Sequence, residues 1–148
     1  MAIERISRPT QSQFERSYFR PQRPVIITDA MKDWPALSWT GALLKERAGQ
    51  RMIRVSRAHK GIHFEGESKI IDYQPMQLDA FVDELTSGES RDGKLYAALV
   101  PILPALPELA EDVRFPPYFE RSHCTTANLW YGPGGSVSPL HYDTQPNL

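Results

Sequence analysis

The alternation of hydrophobic and polar residues along this chain predicts short strands interspersed with helices. Pro24-Val25-Ile26-Ile27-Thr28 is a β-branched apolar run, which predicts a buried strand. Residues 51–57 alternate between polar and apolar, as the residues of a half-buried strand do. Lys94–Leu99 and Ala127–Tyr131 are predicted to be strands as well. The pattern therefore favours a mainly β fold with flanking helices.

Helix signals occur between these strands. The capping-box pattern Ser12-Gln13-Phe14-Glu15 predicts that one helix begins at about Gln13. Thr40 is a candidate N-cap, and Gly49 a candidate C-terminal stop, for a second helix. The clearest pattern has apolar residues at helical spacing after Pro75, which suits a first turn. Helices are predicted over residues 13–19, 41–48, 73–85 and 107–113.

The last predicted strands form a hairpin that presents a histidine and an aspartate together. The turn Gly132-Pro133-Gly134-Gly135 separates the strand that ends at Tyr131 from a second predicted strand over 136–141. Because side chains alternate along a strand, His141 and Asp143 would point to the same side. One imidazole and one carboxylate are part of the ligand set that holds iron in non-haem Fe(II) oxygenases. The bare motif is a hypothesis, and its alternative is a surface histidine beside an aspartate in a turn.

Composition and charge narrow the possible functions. The chain has 148 residues, 41% hydrophobic and 24% charged, which is ordinary for one globular domain. A net charge of −1 indicates no broad basic surface for nucleic acid. No apolar run reaches the length of a transmembrane helix, and the N-terminus lacks a signal-type apolar segment. We therefore expect a cytoplasmic protein with no membrane partner.

The other residues that could bind a metal or act as a nucleophile are better explained as structural. His59 and His63 stand four residues apart, but Gly61 between them predicts a turn rather than a metal-binding helix. Cys124 is the single cysteine, so no internal disulfide can form, and we expect a small, partly buried residue.

Several motifs, taken in order, resemble the JmjC, or cupin-like, 2-oxoglutarate oxygenases. Pro24-Val25-Ile26-Ile27 followed by Asp33-Trp34-Pro35-Ala36 resembles the family's N-terminal strand and W-P-A loop. Leu95-Tyr96 resembles its tyrosine strand. The similarity is densest over Leu129–Leu148, which resembles the iron-binding segment of the hydroxylase branch. The matching residues there are Gly132-Pro133-Gly134-Gly135, Ser138-Pro139-Leu140-His141-Tyr142-Asp143 and Asn147.

The resemblance implies the N-terminal portion of a double-stranded β-helix, a jelly-roll relative that is incomplete in this chain. Residues 1–148 would be one domain, with N-terminal helices and first strands over 1–90 and the start of the jelly-roll core over 91–148. The resemblance also implies Fe(II) and 2-oxoglutarate. His141 and Asp143 would be the iron ligands. The residues implied to contact 2-oxoglutarate or to line its pocket are Tyr96, Ser138, Asn147, Asn128 and Trp130.

The chain departs from the family pattern at the third iron ligand. His59, His63 and His123 all precede the H-x-D motif, whereas the family's distal histidine follows it. The later basic residue that pairs with 2-oxoglutarate is not in the sequence either. Three explanations stay open: a fragment of a full oxygenase, a site completed by a partner or by strand exchange in a homo-oligomer, and a degenerate module that has lost catalysis.

Two classes of function follow from these explanations. The first is an Fe(II)- and 2-oxoglutarate-dependent dioxygenase, expected to hydroxylate a side chain of a protein or peptide and present here without the distal histidine. A tRNA-base hydroxylase is a variant of this class. The alternative is a non-catalytic cupin-type module that binds a small acid or a partner.

Overall fold

The computed structural model describes residues 2–57, 73–88, 95–118 and 126–136. The strands are β1 (Glu4–Ile6), β2 (Val25–Ile27), β3 (Met52–Arg57), β4 (Tyr73–Gln77), β5 (Leu95–Pro101) and β6 (Asn128–Tyr131). The helices are α1 (Gln11–Phe14, continued by a π-helical turn Glu15–Phe19), α2 (Gly41–Ala48), α3 (Leu78–Ser87) and α4 (Ile102–Ala105), with 3₁₀ turns at Pro35–Ser38 and Pro107–Asp112. None of the described helices combines the length and apolar character needed to cross a membrane.

The described strands form two sheets. β1 and β2 pair in parallel, with Arg5 opposite Ile26. The other strands form an antiparallel sheet in the order β4-β3-β5-β6. A mixture of helices with an antiparallel sheet is what part of a jelly roll should show, so the predicted fold class is confirmed. The division of the domain near residue 90 stays a prediction.

One face of the four-stranded sheet, here called the core face, packs against helices. Its buried residues on β3 and β5 are Ile53, Val55, Leu95, Ala97 and Val100. Phe81 of α3 is fully buried against them, and its ring meets the ring of Tyr131 edge-on at 5.5 Å. Burying an apolar side chain of this size stabilises a fold by about 1.5–3 kcal/mol. The core face is therefore the main source of stability in this part of the chain.

The other face of the same sheet, here called the polar face, carries the alternate residues. Its members include Arg54, Ser56, Tyr96, Asn128 and Trp130. Ser56 lies opposite Tyr96, and Arg54 is two residues along the same strand, so their side chains share one face. Trp130 is 48% exposed, in contrast to the buried residues of the core face.

A β-bulge in β5 shapes the polar face. Ala97 pairs with Tyr131 and Val100 pairs with Leu129, so two residues of β5 lie opposite a single residue of β6. Leu99, inside the bulge, has a φ of 53° and is 55% exposed. A left-handed conformation costs a branched residue of order 1–3 kcal/mol, and such residues cluster at binding sites.

The predicted helix over 73–85 is wrong in its first turn. Tyr73–Gln77 forms strand β4, and helix α3 begins only at Leu78. Pro75 lies opposite Arg54, in a strand at one edge of the described sheet. Edge strands tolerate proline because one of their sides needs no ladder hydrogen bonds. Gly88 ends α3 with a φ of 89°, as a C-terminal glycine should.

The first helix begins earlier than predicted. Thr10, rather than Ser12, is its N-cap: Thr10 Oγ1 accepts a hydrogen bond from the Gln13 amide, and Gln13 Oε1 accepts one from the Thr10 amide. The capping box is therefore displaced by two residues. The strand at 25–27 was predicted correctly, but its burial was not, because Ile26 is 37% exposed.

The remaining predicted elements that fall on described residues are confirmed with small changes in their bounds. Apart from Ser136, the strand predicted over 136–141 lies outside the described residues, so it stays a prediction. Thr40 caps α2 by accepting a hydrogen bond from the Leu43 amide, and Gly49 follows its last residue. The strands predicted at 51–57, 94–99 and 127–131 appear as β3, β5 and β6. The helical turns predicted from Pro107 are 3₁₀. Strand β1 and helix α4 were not predicted.

Candidate functional site

The predicted iron ligands, His141 and Asp143, lie outside the described residues. The same is true of Ser138 and Asn147, and of the other candidates considered above, His59, His63, His123 and Cys124. Their roles stay predictions. Over 2–57, 73–88, 95–118 and 126–136, no group of three or more His, Cys, Asp or Glu side chains could hold a metal ion.

Tyr96 and Trp130, predicted from separate motifs, come together on the polar face. Their ring centroids are 6.3 Å apart with an interplanar angle of 52°, which is within the range of a favourable aromatic pair. Tyr96 is partly buried, and this burial raises the pKa of its hydroxyl above its ordinary value. A tyrosine hydroxyl, whose ordinary pKa is about 10, is able to donate a hydrogen bond at neutral pH.

Gly132 makes room for the Tyr96 ring. A Cβ at this position would lie 2.1 Å from Tyr96 Cδ2 and 2.7 Å from Cε2, which no real side chain could tolerate without movement. Beyond this contact, Ser136 Oγ donates a hydrogen bond to the Pro133 carbonyl at 2.9 Å and closes the turn. Gly132, which opens the G-P-G-G motif, thus leaves the space that the ring of a predicted 2-oxoglutarate contact occupies.

Asn128 lies on the same face as Trp130, two residues earlier along β6. It is exposed, and its Nδ2 donates a hydrogen bond to Thr126 Oγ1 at 3.2 Å. The structure therefore pairs Tyr96 with Trp130 and adds Asn128 to their side of the sheet.

The polar face also carries a cationic group that was not predicted from the sequence. The guanidinium carbon of Arg54 lies 4.6 Å from the centroid of the Tyr73 ring, a cation–π geometry. Ser56, which is only 3% exposed, lies between Tyr73 and Tyr96 in the strand register. The alternation of residues 51–57 predicted the strand, and its polar positions were a usable signal for Arg54 and Ser56.

A small cavity of about 70 Å³ lies beside these residues. It is lined by Arg54, Tyr73, Ala98 and Leu99. A larger concavity of about 520 Å³ lies elsewhere and contains none of the predicted site residues. Its lining residues are Ala110, Glu111, Val113, Arg114, Phe115, Pro116 and Pro117. Hydroxyl and guanidinium donors beside an aromatic pair suit a carboxylate ligand, so the polar face is the better candidate site.

Comparisons with a family profile and with known proteins both found matches that cover nearly the whole chain. The profile of the family described as the cupin-like domain matches residues 11–148. The chain is 34% identical over 153 residues to lysine-specific demethylase 8 of Danio rerio and 28% over 164 residues to JmjC domain-containing protein D of Dictyostelium discoideum, covering 99% of this chain and 36% of each relative. It is 27% identical over 150 residues to the bifunctional peptidase and (3S)-lysyl hydroxylase JMJD7 of Homo sapiens, covering 95% of this chain and 48% of that protein. The chain thus spans between about a third and a half of the length of these relatives.

Proposed function

This chain belongs to the cupin-like domain family, and from that membership we propose that it forms part of an Fe(II)- and 2-oxoglutarate-dependent oxygenase. The observation that carries the proposal is the position of Tyr96. Tyr96 is partly buried, and it lies on the sheet face next to the strand that leads into the H-x-D motif. Its hydroxyl is a hydrogen-bond donor of the kind that a carboxylate of the co-substrate needs.

The described residues fit a carboxylate ligand. The Tyr96 hydroxyl would donate a hydrogen bond to one carboxylate oxygen, and the adjacent Trp130 ring would keep water from one side of that bond. His141 and Asp143 would hold the iron, since an imidazole and a carboxylate are ligands that non-haem Fe(II) uses. When bound, iron and 2-oxoglutarate would supply the oxidation of a C–H bond by O₂, while this chain binds and orients them.

The third iron ligand would come from outside these 148 residues, because every other histidine precedes the motif. We propose a protein side chain as the substrate. In support, one human relative is named a lysyl hydroxylase, and three of the relatives are named lysine-specific demethylases. Whether the protein is cytoplasmic and whether it forms oligomers stay predictions.

Titration of the intact protein with Mn²⁺ and 2-oxoglutarate, without O₂, tests this proposal. His141→Ala should weaken Mn²⁺ binding by at least about tenfold. Mutating a residue that only supports a metal ligand already lowers metal affinity by about tenfold or more, and removing the ligand itself should lower it at least as much. His63→Ala is the matched control, since the same substitution there should leave Mn²⁺ affinity unchanged. Equal Mn²⁺ affinities for the two variants would rule out the assigned ligand.

In the same titration, Tyr96→Phe tests the contact with 2-oxoglutarate separately from the metal ligands. The variant keeps the ring that packs on Trp130 and removes only the hydroxyl. We expect 2-oxoglutarate to bind roughly tenfold more weakly, as for loss of one hydrogen bond to a charged group, with unchanged Mn²⁺ affinity.

A further inference from the structure

We infer that the cavity beside Arg54 binds a carboxylate of the substrate, so that the side chain or peptide recognised is acidic. The inference rests on the proposed function only in calling the ligand a substrate. The geometry itself comes from the bulge, the strand register and the charge distribution of the polar face.

Arg54 differs from the neighbouring arginines in its ion pairing. The arginines on either side of it are neutralised: Arg51 pairs with Glu108, and Arg57 pairs with Glu84 on α3. Within the part of the chain that the structure describes, no carboxylate lies within ion-pairing distance of Arg54. A guanidinium that faces a cavity without a carboxylate partner presents its hydrogen-bond donors to an anionic ligand.

The Arg54 side chain is held in place before any ligand binds. Its guanidinium lies over the Tyr73 ring at 4.6 Å, and that ring belongs to the neighbouring strand β4. Stacking limits the rotamers of the long side chain, so binding an anion costs less conformational entropy. The aromatic ring supports the cation without occupying its hydrogen-bond donors.

The bulge in β5 provides space next to Arg54. Ser56 and Arg57 of β3 pair with Tyr96 and Leu95 of β5, and the bulge at Ala98 and Leu99 begins two residues after Tyr96. The positive φ of Leu99 and the small side chain of Ala98 leave the cavity of about 70 Å³ opposite Arg54. A water molecule occupies roughly 30 Å³ in the liquid, so the cavity suits a group of a few heavy atoms such as a carboxylate.

The cavity lies close to Tyr96, the proposed co-substrate contact. Arg54 is two residues from Ser56, which is directly opposite Tyr96, and two residues of strand span roughly 7 Å. Neither Tyr96 nor Trp130 lines the cavity. A ligand there would lie next to the co-substrate without replacing it. Arg54 would also repel a lysine ammonium, so this chain should differ in substrate charge from relatives named for lysine.

The test compares three small probes that differ in one functional group. The intact protein is titrated by NMR with N-acetyl-glutamate N-methylamide, with the neutral glutamine analogue and with the cationic lysine analogue. We expect the glutamate probe to bind about threefold to fivefold more tightly than the glutamine probe, as for a single exposed ion pair. Arg54→Gln should abolish that preference. Arg5→Gln is the matched control, because Arg5 is an exposed arginine in β1, on the other sheet.

Two outcomes would overturn the inference. Tighter binding of the lysine probe, or a glutamate preference that survives in Arg54→Gln with a native-like spectrum, would show that the cavity does not recognise carboxylates through Arg54. Weaker 2-oxoglutarate binding in Arg54→Gln, with the probe preference unchanged, would assign Arg54 to the co-substrate instead. The probes need no metal, so failure of Mn²⁺ binding would count against the proposed oxygenase and not against this cavity.

Discussion

The core face and the polar face of the four-stranded sheet are built from alternate residues of the same strands, yet they have opposite properties. In β3, Ile53 and Val55 are almost fully buried on one side, while Arg54 is exposed on the other. The core face is covered by helices and is apolar, whereas the polar face holds donors, an aromatic pair and a strained bulge. Because side chains alternate along a strand with a period of two, one strand can serve stability and ligand binding independently.

Removing Phe81 should give the largest effect on stability. Phe81→Ala leaves a cavity between α3 and the core face and should lower the free energy of unfolding by about 3–5 kcal/mol. Trp130→Ala removes a larger ring from the polar face, but Trp130 is already 48% exposed, so we expect a loss of less than about 2 kcal/mol. Urea denaturation measures both. Equal losses of unfolding free energy in the two variants would show that the polar face stabilises the fold as much as the core face does.

An added methyl group at Gly132 should disturb the polar face specifically. In Gly132→Ala the new Cβ meets the Tyr96 ring at 2.1 Å, so the ring or the turn must move, at a cost of about 1–3 kcal/mol. The Tyr96–Trp130 pair should separate, and binding of 2-oxoglutarate should weaken with it. Gly134→Ala is the control, since no described atom lies within 4 Å of its added Cβ. A thermal shift that is the same for both variants would mean that Tyr96 does not need Gly132.

The smallest expected effect on stability comes from removing the hydrogen bonds that Asp112 accepts. Asp112 accepts hydrogen bonds from Trp39 Nε1 at 2.7 Å and from Arg47 of α2, and so joins that helix to the 3₁₀ turn Pro107–Asp112. The hydrogen bond from Trp39, followed by that from Arg47, holds the pKa of Asp112 below its ordinary value. Asp112→Asn should lower the free energy of unfolding by about 1 kcal/mol at neutral pH.

Acid should weaken the hydrogen bonds to Asp112 in the wild-type protein. Since the pKa of Asp112 is lower in the folded chain than in the unfolded chain, the unfolded state takes up the proton first. The stabilisation is complete above the unfolded pKa, at about pH 4, and is lost as the pH falls through the folded value. Hydrogen bonds to Arg51 and to the Arg8 amide lower the pKa of Glu108 and Asp29 in the same direction. Asp112→Asn should therefore reduce, but not abolish, the loss of stability measured between pH 5 and pH 2.

Much of the local structure could be predicted from the residues. Thr40 and Gly49 bound α2 because capping depends on side chains within one turn of the helix end. The alternation at 52–57 marks β3 because a half-buried strand repeats every two residues. The position of β4 was not predictable in this way. Pro75 and the apolar spacing after it suit a helix, and it is pairing with β3, opposite Arg54, that makes Tyr73–Gln77 a strand.

The candidate site, like the fold, could be predicted from the sequence only in part. The motifs predicted Tyr96, Asn128 and Trp130 one by one, and the family match then extended through the H-x-D segment. Arg54 and Tyr73 lie 19 residues apart in the sequence, and Tyr96 and Gly132 lie 36 apart, so neither contact has a local signal. The sequence alone determined the period of β3, the caps of α2 and the individual family motifs, because these depend on neighbours within a few residues. Only the tertiary structure decided which polar residues share a face, because strand register and bulges are set by hydrogen bonds between distant segments.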